Sequence, residues 1–286
     1  MQLPSNESVQ TISDQRLRLV QAALARAAAD TSAPDASIVV PVDARGDLTT
    51  VLTLVEDLAR YAGAHSLEFV LVINNYPPER PPGEIARYRE LGFRVVAVPD
   101  AWVQGHVVSF AARIPGARAA RSECLVHFDA DCRVPNPTQL VDWYVTQLTT
   151  GAHAAYTRVA YHELRRSLSV RTRIAVHHGA RWVKRRLLGV PTLRGSNYAI
   201  RRTTFLELYD EGFLSDDFNV GFAVKRHGLT IRYSGARNLT VLTSGRRFKG
   251  GWRKLGRYLV YRLVYNVRAL RVRPGVANPY HQKRLR

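Results

Sequence analysis

The sequence predicts an α/β fold, a mostly parallel sheet with helices on both faces. Three observations carry this reading. From Ser37 onward, short apolar runs rich in β-branched residues alternate with stretches of helical periodicity. The runs are mostly apolar, broken near their starts by Glu68 and Arg94, as strands covered on both faces are. Polar residues then recur just past the runs: Asp43, Asn74 and Asn75, Asp129 and Asp131. Parallel sheets bind ligands beyond the carboxyl ends of their strands, so this recurrence marks a site.

Each element follows from local pattern. Ser13 to Ala29 has Leu17, Val20, Leu24 and Ala28 at helical spacing, and the break Thr31-Ser32-Ala33-Pro34 sets residues 1–36 apart as a peripheral segment. Ser37 to Asp43 reads as a buried strand, followed by a helix from Leu48 to Ala62 with Leu52, Val55, Leu58 and Ala62 on one face. Leu67 to Ile73 is a second strand. Pro77, Pro78, Pro81 and Pro82 mark a loop, Pro82 to Leu91 a helix, and Phe93 to Val98 a third strand. Val107 to Arg121 is helical, with a kink or interruption expected at Pro115-Gly116. A fourth strand runs from Cys124 to Asp129.

Further on, Thr138 to Thr149 reads as a helix, and Arg165 to Leu188 as a strongly basic one carrying His177 and His178. Adjacent histidines face different sides of a helix, so they are not a shared metal site. Val220 to Arg226 is a helix ended by Gly228, and Thr230 to Tyr233 a strand. From Gly251, Trp252, Leu255, Leu259, Leu263, Val267 and Leu270 form an apolar stripe among arginines, a basic amphipathic helix.

Composition narrows the function classes. The 46% hydrophobic and 23% charged content is that of an ordinary globular protein. No apolar run approaches the roughly 18 residues of a membrane span, and Met1 to Gln15 lacks the pattern of a signal peptide, so a cytoplasmic protein is expected. The two cysteines, Cys124 and Cys132, are too few for a disulfide framework and lack CxxC spacing. Neither GxGxxG after the first strand nor GxxxxGK[ST] is present, against dinucleotide-binding and P-loop proteins. The net charge of +19 is concentrated at one end: Phe218 to Arg286 holds 17 Lys and Arg and no Asp or Glu. That appendage calls for an anionic partner: nucleotide phosphates, an acidic acceptor, a membrane surface or nucleic acid.

Asp129 and Asp131 lie at i and i+2 of an extended segment and point the same way. Two such carboxylates repel unless a cation joins them, and a hard divalent ion with oxygen ligands suits them.

The run Ala111-Ala112-Arg113-Ile114-Pro115-Gly116-Ala117-Arg118-Ala119-Ala120-Arg121 leads without a gap into Ser122-Glu123-Cys124-Leu125-Val126-His127-Phe128-Asp129-Ala130-Asp131. This resembles the family 2 glycosyltransferases of the GT-A fold, whose pattern is A-R-N-x-G-x-x-x-A, an apolar strand and D-x-D. The likeness runs from about Ser37 to about Arg247. It implies an inverting transferase that uses Mn²⁺ or Mg²⁺ and a nucleotide-diphosphate sugar, with Asp131 and Asp129 as metal ligands or ribose contacts. It further implies Pro41, Asp43, Asn74, Arg113, Asp129, Ala130, Arg246 and Arg247 around the donor. An Asp at position 43 can accept the uracil N3–H, which favours UDP. Gly195, Ser196 and Asn197 resemble the segment lining the sugars. Asp217, with Asp216 beside it, resembles the acid that serves as catalytic base; Ser215-Asp216-Asp217 is also good helix-capping sequence. The sequence departs from the pattern at Ile114, where the family has Asn, and at Tyr76-Pro77-Pro78 after Asn74-Asn75. No His follows Gly228 before Tyr280, although the family often places an extra metal ligand there.

The resulting expectation is a GT-A domain over residues 37–248, with a nucleotide half (37–132) and an acceptor half (133–248), and a basic extension over 249–286. The acceptor is a lipid carrier, a glycan or a small natural product. Peripheral membrane contact through the basic end and a homodimer are open, and nucleic acid is disfavoured because no known binding motif occurs. Two alternatives stand beside it: a sugar-nucleotide nucleotidyltransferase, and a non-catalytic protein that binds an anionic surface or nucleic acid.

Overall fold

The computed structural model describes residues 33–101, 106–164, 167–186, 189, 191, 193–245, 248 and 251–269. The helix expected between Ser13 and Ala29, together with Arg246, Arg247 and the tail from residue 270, lies outside the described residues.

The first half alternates as expected: β1 (Ala36–Asp43), α1 (Thr50–Ala59), β2 (Leu67–Asn74), α2 (Glu84–Glu90), β3 (Arg94–Val98), α3 (Val108–Ala119) and β4 (Cys124–His127). The second half is α4 (Pro137–Thr149), β5 (Ala154–Thr157), β6 (Val159–His162), α5 (Leu168–Arg186), β7 (Tyr198–Arg201), α6 (Arg202–Asp210), α7 (Asp217–Arg226), β8 (Ile231–Ser234), a 3₁₀ turn (Arg237–Leu239), β9 (Val241–Ser244) and α8 (Gly251–Ala269).

Seven strands form one sheet in the order β3-β2-β1-β4-β7-β5-β8. β1 to β4 are parallel; β7 runs antiparallel to both β4 and β5, and β5 pairs parallel with β8. The pairing of β4 with β7 carries the sheet across both halves of the chain. β6 and β9 make a separate two-stranded sheet, so the segment from Val241 is not part of the main sheet.

Both faces are covered, as the apolar runs require. On one side Ile38, Val40, Val42, Leu71 and Val126 pack with Leu54, Leu58, Leu140 and Tyr144 from α1 and α4. On the other, Val39, Val70, Val72 and Leu125 pack with Phe110, Ala112, Ile114 and Ala117 of α3 and with Phe205 and Val220 of α6 and α7. The expected interruption at Pro115-Gly116 does not occur; α3 runs through it. Gly116 explains why the helix sits so close to the sheet. A Cβ there would lie 2.7 Å from Val39 Cγ1 and 2.7 Å from Val72 Cγ2, so only glycine fits.

The starts of the strands are tied by one buried carboxylate. Glu68 accepts from Ser37 Oγ (2.7 Å), Arg94 Nε (2.7 Å), Arg121 N (2.9 Å) and Arg121 Nε (3.0 Å). This leaves the opposite, carboxyl end of the sheet for the site.

Candidate active site

β4 ends at His127 rather than Asp129, and the chain turns through Asp129-Ala130-Asp131, closed by Cys132 N donating to Asp129 O at 3.0 Å, so the two carboxylates are brought together by a turn and not by an extended segment. Ala130 is buried and pins the turn, while both aspartates stay half-buried. The second sheet braces the turn from outside. Arg133 N donates to Leu242 O (2.8 Å) and Leu242 N to Arg133 O (2.9 Å). Thr243 Oγ1 donates to Asp131 Oδ1 (3.3 Å), and His162 Nε2 lies 2.9 Å from Asp131 O.

Ligand atoms of Asp129, Asp131 and Cys132 lie within 4.8 Å of one another. The donor chemistry fits a hard divalent ion through the two carboxylates. Cys132 is not part of that set: its thiol donates to Ser196 O at 3.3 Å, and burial, with Asp129 and Asp131 nearby, pushes its pKa well up. A neutral thiol is a poor ligand for Mg²⁺ or Mn²⁺.

Arg113 organises what lies behind the turn. It is fully buried, yet its guanidinium meets four acceptors: Asp217 Oδ1 through Nε (2.8 Å), Phe128 O through Nη1 (3.2 Å), and Asp129 Oδ1 (2.6 Å) and Gly195 O (2.8 Å) through Nη2. Burial alone would disfavour the charge; Asp217 and Asp129 more than offset it and raise the arginine's pKa. The guanidinium therefore fixes the spacing of two carboxylates from distant parts of the chain.

The adjacent acids at the start of α7 have different surroundings. Asp216 is the N-cap: its Oδ1 accepts from Phe218 N (2.7 Å) and Asn219 N (2.8 Å), and Asn219 Oδ1 accepts in return from Asp216 N (3.3 Å). Asp217 is the first helical residue. Its side chain is 11% exposed and accepts from Arg113 and from Tyr198 Oη (3.2 Å). Desolvation raises the Asp217 pKa against the pull of Arg113, and Asp216 adds repulsion. Desolvation raises Asp129 too, again opposed by Arg113.

The 195–197 turn is packed against this centre. A Cβ on Gly195 would lie 2.8 Å from Asp217 Cγ and closer still to Asp217 Oδ2 and Arg113 Nη2. Ser196 is buried and offers its carbonyl to Cys132. Asn197 is also buried. Its Oδ1 accepts from Tyr144 Oη, and its Nδ2 donates to Thr157 Oγ1 (2.7 Å) and Arg158 O (3.4 Å). Its amide braces the turn from within.

At the end of β1, Asp43 Oδ1 accepts from Asn75 Nδ2 (2.9 Å) and Arg45 N (3.0 Å). Asn75, with φ 67°, turns toward Asp43, whereas Asn74 is buried and donates to Val42 O (3.1 Å) and Val72 O (3.3 Å) inside the sheet. Pro41 is buried within β1, in register with Val72 of β2. It lacks an N–H where the ladder to β4, which spans Ser37 to Val39, has ended.

Three neighbours of the site carry no assigned role in the sequence reading: Tyr198, His162 and Thr243. Tyr198 is adjacent to the Gly195-Ser196-Asn197 motif, which is its only sequence signal. His162 lies far upstream of the position where the family resemblance places a histidine.

No protein-family model and no curated protein matches the sequence. Solved structures do. A mannosyltransferase from Pyrobaculum calidifontis, in complex with GDP-Man and Mn²⁺, aligns with a TM-score of 0.53 and 16% identity over 95% of this chain and 76% of its own. A mycobacterial protein aligns with a TM-score of 0.50 and 17% identity over 92% of this chain and 84% of its own. At such identity the likeness is one of fold. With its mixed seven-stranded sheet and D-x-D turn at the end of β4, the chain has the GT-A fold of nucleotide-sugar transferases.

Proposed function

We propose that the chain is a metal-dependent, inverting glycosyltransferase that moves a sugar from a nucleotide-diphosphate donor to an acceptor hydroxyl. One observation carries this: a single buried arginine, Arg113, joins the D-x-D carboxylate Asp129 to the acid Asp217. On this reading a donor site and a base lie side by side, which is what a single displacement needs.

In this reading Asp131, with Asp129, holds Mn²⁺ or Mg²⁺. When bound, the cation neutralises charge on the leaving diphosphate. Asp43, steadied by Asn75, meets the donor base, and UDP remains the favoured donor. Arg246 and Arg247 contribute charge to the diphosphate. Asp217 takes the acceptor proton as the acceptor oxygen bonds to the anomeric carbon and the bond from that carbon to the diphosphate oxygen breaks. One displacement inverts the configuration. Asp216 supports the base through the helix start rather than sharing its role. Residues 37–132 form the nucleotide-binding half and 133–248 the acceptor half, apart from the charge that Arg246 and Arg247 give the diphosphate.

The acceptor is a lipid carrier, a glycan or a small natural product. No helix among the described residues is long and apolar enough to cross a membrane. α8 exposes Trp252, Arg253, Arg257 and Val260, a surface suited to peripheral contact with anionic lipid or to a second copy.

A thermal-shift screen of nucleotides and nucleotide sugars, with and without Mn²⁺, tests the reading. A nucleotide at a hundredfold excess over its Kd stabilises by about 2.7 kcal/mol, a shift of several degrees. That shift requires the cation and disappears in Asp131→Ala. Stabilisation that ignores both cation and Asp131 overturns the donor-site assignment.

A further inference from the structure

A second polar centre lies beside the first. α5, the segment around Leu193, the start of α7 and α8 enclose a cavity with about 50 Å³ of space for solvent. One water needs roughly 10–15 Å³ on this scale, so a phosphate or carboxylate group fits. His177, Arg181, Lys184 and Arg194 line it, along with Phe218 and Tyr258, and no acidic residue appears in the lining among the described residues. Arg194 is held in place by Tyr161 Oη (2.9 Å) and by His177 Nε2. A guanidinium only donates, so that ring nitrogen accepts and the imidazole is neutral. The positive charge therefore belongs to the two arginines and the lysine.

The surroundings register this charge. Burial and the nearby Arg194 push Arg181 down to about 9. Burial, then Arg181, Arg194 and Arg158, push His178 down to about 4. The cavity also adjoins the candidate active site on two sides of the chain: Arg194 precedes Gly195, and Phe218 follows Asp217. Burial opposes the Arg194 charge, but Tyr161 and Tyr258, and after them Asp129, raise its pKa.

We infer that this cavity binds an anionic group of the acceptor, of the phosphate class, placing an acceptor hydroxyl at Asp217. Two arginines and a lysine supply charge-assisted donors for such oxygens, and Phe218 and Tyr258 flank the remainder of the molecule. The inference rests on the transferase reading and narrows its acceptor to anionic molecules.

The test is inorganic phosphate binding by calorimetry to full-length protein already saturated with nucleotide diphosphate and Mg²⁺. Phosphate binds the saturated protein, and Arg181→Gln weakens it about tenfold or more while nucleotide affinity is unchanged. Lys184→Gln, at a half-buried position, moves phosphate binding the same way and covers a failure of the arginine variant to fold. Phosphate that only competes with nucleotide, or binds both variants as well as wild type, overturns the inference and leaves the donor reading intact. Absent nucleotide binding instead sinks the donor reading. Glycerol 3-phosphate and phosphatidylcholine vesicles containing phosphatidic acid separate the sources. Arg181-dependent binding of the first assigns a soluble phosphate ester, and of the second a lipid headgroup; binding of neither overturns the inference.

Discussion

Arg113 Nε and Asp217 Oδ1 are 2.8 Å apart although 104 residues separate them in the chain. The same guanidinium holds Asp129, so the arginine works as a spacer between two carboxylates that would otherwise repel. Its placement explains why the two acids at 216 and 217 differ, and why residue 195 is glycine.

Asp217→Asn is expected to lower transfer by about 10²–10⁴-fold, with Mn²⁺-dependent nucleotide binding retained. Asp216→Asn keeps a good capping residue and is expected to retain most activity. Single-turnover rates beside nucleotide titrations read both. Turnover near wild type in Asp217→Asn removes it as the base.

Gly195→Ala forces a Cβ into the Arg113–Asp217 contact. The expected cost is about 1–3 kcal/mol of stability, as for other overpacked sites, with a larger proportional fall in kcat than in nucleotide affinity. Urea melts and steady-state kinetics measure the two effects. An alanine variant with unchanged midpoint and kcat refutes the close packing.

Glu68→Gln acts at the far end of the sheet. It weakens charge-assisted bonds to Arg94 and Arg121, whose side chains are 43% and 50% exposed and stay solvated. A loss of about 1.5–3 kcal/mol is expected, with no change in nucleotide binding. Although burial opposes it, bonding from Arg121 and Ser37 lowers the Glu68 pKa below 4.5. A depressed acid stabilises above its unfolded pKa and loses that contribution as pH falls through the folded one. The gap between wild type and variant therefore narrows below pH 4.5, and a gap that widens there contradicts the assignment.

His178 gives the opposite chemistry with the same sign. Its pKa falls from 6.5 to about 4 in the fold, so between those values the unfolded chain binds more protons. Stability then drops as pH is lowered from 6.5 toward 4. His178→Gln removes that part of the acid limb in phosphate-free buffer. Parallel pH–stability curves for the two proteins exclude the effect.

The first half of the fold is legible because each strand is a mostly apolar, β-branched run, with Glu68 and Arg94 near the starts of β2 and β3, and the long helices carry clear apolar faces. The second half is less so. β5 and β6 are four residues each, and Ala154-Ala155 carries no β-branched signature. α6 begins at Arg202 directly after β7, with no turn residue between them to mark the change. In the site, spacing singles out Asp129 and Asp131, but the capping pattern Ser215-Asp216-Asp217 does not say which acid caps the helix; the structure gives that place to Asp216. It does not show which asparagine of 74 and 75 turns toward Asp43; that depends on where β2 leaves the sheet. Nor does an arginine among alanines reveal that it is wholly buried, because its acceptors come from three other segments.

The four acceptors of Arg113 also set an order of assembly. Phe128 and Asp129 are in place once the fourth strand forms, but Gly195 and Asp217 arrive later on the ribosome. At ordinary elongation rates, the stretch from Asp131 to Asp217 takes on the order of ten seconds to synthesise. Until then, closing α3 over the sheet would strand a cation with half its partners, at a cost of several kcal/mol. The two halves are therefore expected to unfold in one cooperative step, read as coincident urea transitions by different probes.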